Sequence, residues 1–208
     1  MNIMFFDTET NGLPLNFDKD DLSPGNWPSM VQLAWVIADE KGREVERREF
    51  LIELPEGEEE DEKAVAIHGK TKELLRDKGV RLVEVFKVYL DDLYKCDVVV
   101  AHNLDFDLGV VVSNFKNRLN VGIGNCFLGR KVVCTMALGS KLDIGNYGLS
   151  RWEKAWNWIR GKKGHKRNSL KKLHMYLFGK DFENAHDAMG DVEAMKNCYY
   201  ELVKRNVI

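Results

Sequence analysis

The apolar residues change rhythm along the chain, and that change narrows the fold more than any other feature. Residues 2–8 form an apolar run bounded by polar turns, the pattern of a buried strand. Residues 31–38 repeat it. Asp39-Glu40-Lys41-Gly42 carries turn chemistry, and residues 44–53 alternate as a third strand, so 31–53 is expected to be a hairpin. From residue 80 the period becomes helical. Leu82, Phe86, Tyr89 and Leu93 share a stripe within 80–95. A short strand at 97–101, a helix at 103–119, a strand at 131–136 and helices at 169–178 and 188–205 follow. Antiparallel strands followed by strands alternating with helices predict an α/β fold: a mixed five-stranded sheet with helices packed on it. Ligands of such sheets gather at the carboxyl ends of strands.

A length of 208 residues suits one domain over 1–208 with one sizeable core. No apolar run reaches the roughly 18 residues of a membrane span. The first residues lack a basic start and a cleavage site, so a cytoplasmic protein without a membrane partner is expected. The cysteines, Cys96, Cys126, Cys134 and Cys198, form no C-x-x-C pair, which argues against zinc. Cys134 and Cys198 are expected in the core. The net charge of −2 hides a strong asymmetry. Residues 53–62 hold seven acids and no base, and are expected to be a solvated loop. Residues 151–172 hold nine bases and one acid, a patch suited to phosphates.

Against this background several carboxylates stand in unusual places. Asp7 and Glu9 close the first strand two residues apart, so they share a face and repel unless a cation lies between them. Asp107 borders a helical stripe with Val111 and Phe115. Asp191 heads the apolar face of its helix, ahead of Met195, Cys198 and Leu202. His186 lies five residues before Asp191, about 140° away on a continuous helix. The two face one site only if His186 sits in the preceding loop, with Asp187 as N-cap.

Three ordered segments resemble the DEDDh-type 3′–5′ exonucleases of the RNase H-like fold, the family of polymerase proofreading subunits, RNase T and oligoribonuclease. They are Phe5-Phe6-Asp7-Thr8-Glu9-Thr10-Asn11-Gly12, Ala101-His102-Asn103-Leu104-Asp105-Phe106-Asp107, and Ala185-His186-Asp187-Ala188-Met189-Gly190-Asp191-Val192. Lesser echoes are Ala66-Ile67-His68-Gly69 and Ser169-Leu170-Lys171-Lys172-Leu173. The loop at 13–30 and the basic, tryptophan-bearing stretch at 139–168 depart from the family pattern.

The resemblance implies removal of nucleoside monophosphates from 3′ ends by two-metal hydrolysis. Asp7 would bridge two ions, Mg²⁺ or Mn²⁺, with Glu9 and Asp191 on the water side and Asp107 on the leaving-group side. His186 would be the general base, a task for which histidine, with an imidazole that ordinarily titrates at about 6.5, is the usual choice near neutral pH. The partner would be a free 3′ end, single-stranded, with a polymerase or other replication or repair protein as a further partner. Thr8, Thr10 and Asn11 are candidates for contact with the terminal nucleotide, and Leu13 for packing against its base. Asn103 is a further candidate for substrate contact, with capping its helix or positioning Asp107 as its other expected roles, and His68 is expected to be structural. Trp152 and Trp156 have core spacing, whereas Trp158 is placed to stack on a base. Arg160, Lys162, Lys163, Lys166 and Arg167 are candidates for phosphate contact. DNA is favoured over RNA. An RNA-trimming enzyme and a non-catalytic nucleic-acid-binding or polymerase-docking module are the alternatives. The full set Asp7, Glu9, Asp107, His186 and Asp191 speaks against a module without catalysis.

Overall fold

In the computed structural model, residues 1–18, 20–142, 144 and 168–208 are described. The sheet has the order β3-β2-β1-β4-β5. β1 (Asn2–Thr10) pairs antiparallel with β2 (Met30–Asp39), which pairs antiparallel with β3 (Glu44–Leu51). On its other side β1 runs parallel to β4 (Val98–Ala101), and β4 parallel to β5 (Lys131–Cys134). The mixed sheet therefore stands as expected, with strand bounds shifted by a few residues. Gly42 takes φ +81° in the β2–β3 turn, and Asp39 Oδ1 accepts from the Lys41 and Arg43 N–H groups.

Strand parity sets which helices lie on which face. Phe5 meets Tyr199 and Tyr200 of the last helix, α7 (Ala188–Lys204), at 5.2 and 5.7 Å between ring centres. Its neighbour Phe6 points the other way. It meets Tyr89 of α3 (Leu82–Leu93) at 6.3 Å, and Tyr89 packs on Phe115 of α4 (Leu104–Leu119). Trp35, opposite Phe6 on β2, joins that cluster through Tyr89. The core is thus two layers, one on each side of β1. α6 (Leu170–Phe178) packs on α7.

Three expectations change. The acidic segment is a loop only as far as Asp61, which accepts from the Lys63 N–H and caps α1 (Glu62–His68). Thr71 then caps α2 (Lys72–Lys78). Seven residues are too few for a clear apolar period, so neither helix was expected. Chain 135–136 turns from strand into α5 (Thr135–Gly139). Cys198 is buried as expected, but Cys134 is only half-buried because β5 is an edge strand. Among the described residues no helix is long and apolar enough to cross a membrane.

Candidate active site

Parallel pairing brings the carboxyl ends of β1 and β4 to one edge of the sheet. A cleft of about 570 Å³ opens there, lined by Asp7, Thr8, Glu9, Leu13, Asn103, Asp107, His186 and Asp191 among others. Asp7 and Glu9 have the parity of Phe5 and face α7, where Asp191 lies in the first turn. One carboxylate oxygen from each of Asp7, Glu9 and Asp191 lies within 4.8 Å of the others. Thr8 has the opposite parity. Its N–H and hydroxyl donate to Asp107 Oδ1 at 3.1 and 2.8 Å, which draws the α4 carboxylate to the same edge.

Four acids so close in a partly dry cleft resist ionisation. Burial, then the charges of Asp107 and Asp191, holds the Asp7 carboxyl well above its usual range. Glu9 is pushed up to about 8 by burial and Asp191, against the pull of Lys70. Asp107 rises to about 7 through burial, although the Thr8 bonds oppose it. Asp191 rises to about 6 through burial, with His186 pulling the other way. An all-carboxylate donor set carrying mutual repulsion fits a hard divalent cation.

His186 lies outside α7, as helix geometry requires of a residue that shares a site with Asp191, with φ +67°, and it lines the cleft. Asp187 occupies the N-cap position but makes no capping hydrogen bond. Asn103 likewise stands at the N-cap of α4 in a left-handed conformation, φ +70°, with no capping bond, so the expected cap is absent. His102 lines the cleft, yet one ring nitrogen meets Thr135 Oγ1 at 2.9 Å and the other donates to the Asn168 carbonyl at 2.8 Å. Burial lowers its pKa to about 4, and the neutral ring ties β4 to residue 168. His68 is structural as expected: one ring nitrogen bonds the Thr10 carbonyl.

The candidates for substrate contact separate. Leu13 is 72% exposed at the cleft. Thr8 lines it, but with its hydroxyl held by Asp107. Thr10 and Asn11 do not line it. The Thr10 hydroxyl donates to the Gly12 carbonyl. Asn11 bonds Ser29, Glu58 and Glu59, and so holds the long 13–30 loop against the acidic segment. Trp152, Trp156, Trp158, Arg160, Lys162, Lys163, Lys166 and Arg167 lie outside the described residues. Two residues that went unnoticed in the sequence, Gln32 and Lys70, both reach Asp187. A lone amide inside the otherwise apolar run of β2 was the available signal for Gln32. A larger cleft of about 830 Å³ between α6 and α7 mixes acids, bases and aromatics. Among the described residues it holds no metal-ligand group comparable to Asp7, Glu9 and Asp191.

The family described as exonuclease, RNase T, matches residues 4–199. No curated protein matches the chain. Among solved structures, an exonuclease I described with how processivity is achieved superposes with a TM-score of 0.71 at 19% identity, covering 99% of this chain and 42% of that one. E. coli exonuclease I in complex with a dT13 oligonucleotide gives 0.69 at 20% identity, covering 98% and 41%. The zinc-bound E. coli exonuclease I complex with single-stranded DNA gives 0.69 at 19%, covering 98% and 40%. The chain thus spans about two-fifths of the length of these proteins, and the likeness establishes the RNase H-like fold. With a match over nearly its whole length and three motifs meeting at one sheet edge, the chain belongs to the RNase T exonuclease family, of DEDDh type.

Proposed function

We propose that the chain is a 3′–5′ exonuclease that hydrolyses single-stranded nucleic acid, DNA in preference to RNA, releasing nucleoside monophosphates. The observation that carries this reading is the convergence of Asp7, Glu9, Asp107, Asp191 and His186 on one cleft. The family's description and the oligonucleotide held by E. coli exonuclease I support it. Residues 1–208 act as one exonuclease domain. We place the activity in the cytoplasm, whose reducing conditions suit the free cysteines, and take a polymerase or other replication or repair protein as partner on the motifs' resemblance.

Asp7, Glu9 and Asp191, with Asp107, would hold two divalent cations, Mg²⁺ or Mn²⁺. Bound there, such ions acidify a water and neutralise charge on the departing 3′ oxygen. Thr8 keeps the Asp107 carboxylate turned to the cleft through its two hydrogen bonds. His186, outside the helix and not one of the four acids, takes the proton of the attacking water at a ring nitrogen. Leu13 packs against the terminal base. The bases at 160–167 engage phosphates upstream.

Digestion of 5′- and 3′-labelled single-stranded DNA and RNA of one sequence, with Mg²⁺, tests the reading. A 5′ label should give a ladder that shortens with time, and a 3′ label an immediate mononucleotide. Faster loss of RNA would turn the sugar preference, and internal cuts or loss from the 5′ end would overturn the proposal.

A further inference from the structure

An aspartate at an N-cap ordinarily turns its carboxylate onto its own helix. Asp187, next to His186, does not. It makes no capping hydrogen bond to α7. Instead Asp187 Oδ1 accepts from Lys70 Nζ at 2.7 Å and from Gln32 Nε2 at 3.0 Å. Both donors come from distant chain.

Gln32 lies on β2 opposite Glu9 and is 1% exposed. Its Nε2 also donates to Glu49 at 2.7 Å, and its Oε1 accepts from the Ala188 N–H at 3.1 Å, so one amide grips both Asp187 and the first residue of α7. Lys70 lies between α1 and α2 with its side chain 13% exposed. Its own N–H donates to His68 Nδ1 at 2.9 Å, so the other His68 nitrogen carries the proton given to the Thr10 carbonyl. The ammonium is thereby tied to the end of β1, the strand that bears Asp7 and Glu9.

These bonds bear on His186 because its turn is closed from within by a 3.2 Å bond from the Asp187 N–H to the Asn184 carbonyl, while the setting of the turn depends on outer contacts. Asn184 and His186 both have positive φ, +57° and +67°. Such residues keep that conformation when their surroundings fix it. Two outer contacts do so. The Asn184 carbonyl closes on Gly190, where a Cβ would lie 2.3 Å from it. On the other side the Asp187 carboxylate is held by Lys70 and Gln32. His186 lies between these anchors.

We propose that Lys70, together with Gln32, is a positioning residue for His186: its ammonium clamps the Asp187 carboxylate and so fixes the imidazole against the four acids. The inference rests on the role given to His186 under the proposed function. A plain ion pair would add stability without touching the rate.

Single-turnover rates on a 5′-labelled thymidylate oligomer with Mn²⁺ separate the two. Lys70→Met should lower the rate at saturating substrate by about 10–100-fold, the usual cost of losing an outer partner of a catalytic group, with KM within about twofold. Lys70→Arg should restore most of it. In a His186→Ala background Lys70→Met should cost at most about twofold further, because its effect passes chiefly through the imidazole and only its pull on Glu9 remains. In metal-free protein the His186 ring should give one sharp ¹H–¹³C signal, broadened or doubled by Lys70→Met and sharp again in Lys70→Arg. Asp187→Asn keeps the shape of the side chain and carries the same test if Lys70→Met does not fold. Wild-type rate and signal in Lys70→Met, beside a slow His186→Ala, would overturn the clamp alone. So would an undiminished Lys70→Met penalty in the His186→Ala background. Wild-type rate in His186→Ala would overturn the reading beneath it as well.

Discussion

Asp107→Asn should make the metal-free protein more stable near neutral pH while crippling it as an enzyme. Asp107 is 3% exposed, and burial carries its pKa from 3.8 to about 7. A carboxyl raised in this way opposes ionisation in the folded state. The penalty is absent below the unfolded pKa, near 4, and grows as pH climbs through the folded value, near 7. At about 1.36 kcal/mol per pH unit the displacement corresponds to about 4 kcal/mol. That is a ceiling, since Asp7 and Asp191 share the repulsion, and about 2 kcal/mol is expected from removing one member. For a chain of this size that is about 4–8 °C in Tm. Asparagine keeps an oxygen for the Thr8 N–H and hydroxyl, so the geometry at 3.1 and 2.8 Å is retained. Thermal unfolding by circular dichroism in EDTA, at about pH 4 and about pH 8, reads the effect. The variant should melt higher at the upper pH and with the wild type at the lower. A lower Tm at the upper pH, or an equal gain at both, would refute the electrostatic account.

His186→Ala should cut about 10²–10⁴-fold more slowly in single turnover while keeping the rise in Tm that Mn²⁺ brings; a wild-type rate would remove the imidazole from the chemistry. Gly190→Ala places a methyl 2.3 Å from the Asn184 carbonyl, so it should destabilise by about 1–3 kcal/mol and slow cleavage by shifting the His186 turn, both read by melting and kinetics on one preparation. Neutralising Arg160, Lys162, Lys163, Lys166 and Arg167 should weaken oligonucleotide binding and flatten its salt dependence, measured by anisotropy at several salt concentrations; an unchanged slope would take the segment out of phosphate binding.

Four strands were legible as short apolar runs between turn residues and β3 as an alternating stretch after the Asp39–Gly42 turn, and β1 and β2 are buried along almost their whole length. The acid cluster was legible for a related reason. Asp7, Asp107 and Asp191 each sit where an apolar pattern leaves no place for a charge. Given that His186 and Asp191 share one site, the helical period required His186 to precede the helix. What escaped notice depends on contacts distant in sequence. Asn11 reads as a substrate contact from its place after the motif, but its amide is occupied by Ser29, Glu58 and Glu59. Lys70 is an ordinary loop lysine until the fold brings it to a residue 117 positions away. The helices α1 and α2 are marked by their caps, Asp61 and Thr71, more than by any apolar stripe.

The claim that these carboxylates form the hydrolytic centre is tested most directly at Asp7, which faces Asp191 and Glu9 at the end of the central strand. Single-turnover cleavage of a 5′-labelled thymidylate oligomer is compared for the wild type and Asp7→Asn, with Mg²⁺ and again with EDTA. The wild type should shorten the strand from its 3′ end, with no cleavage in EDTA. Asp7→Asn should be folded and slower by at least about 10²–10³-fold. Cleavage by Asp7→Asn within about tenfold of the wild type, or by the wild type at full rate in EDTA, would contradict the account.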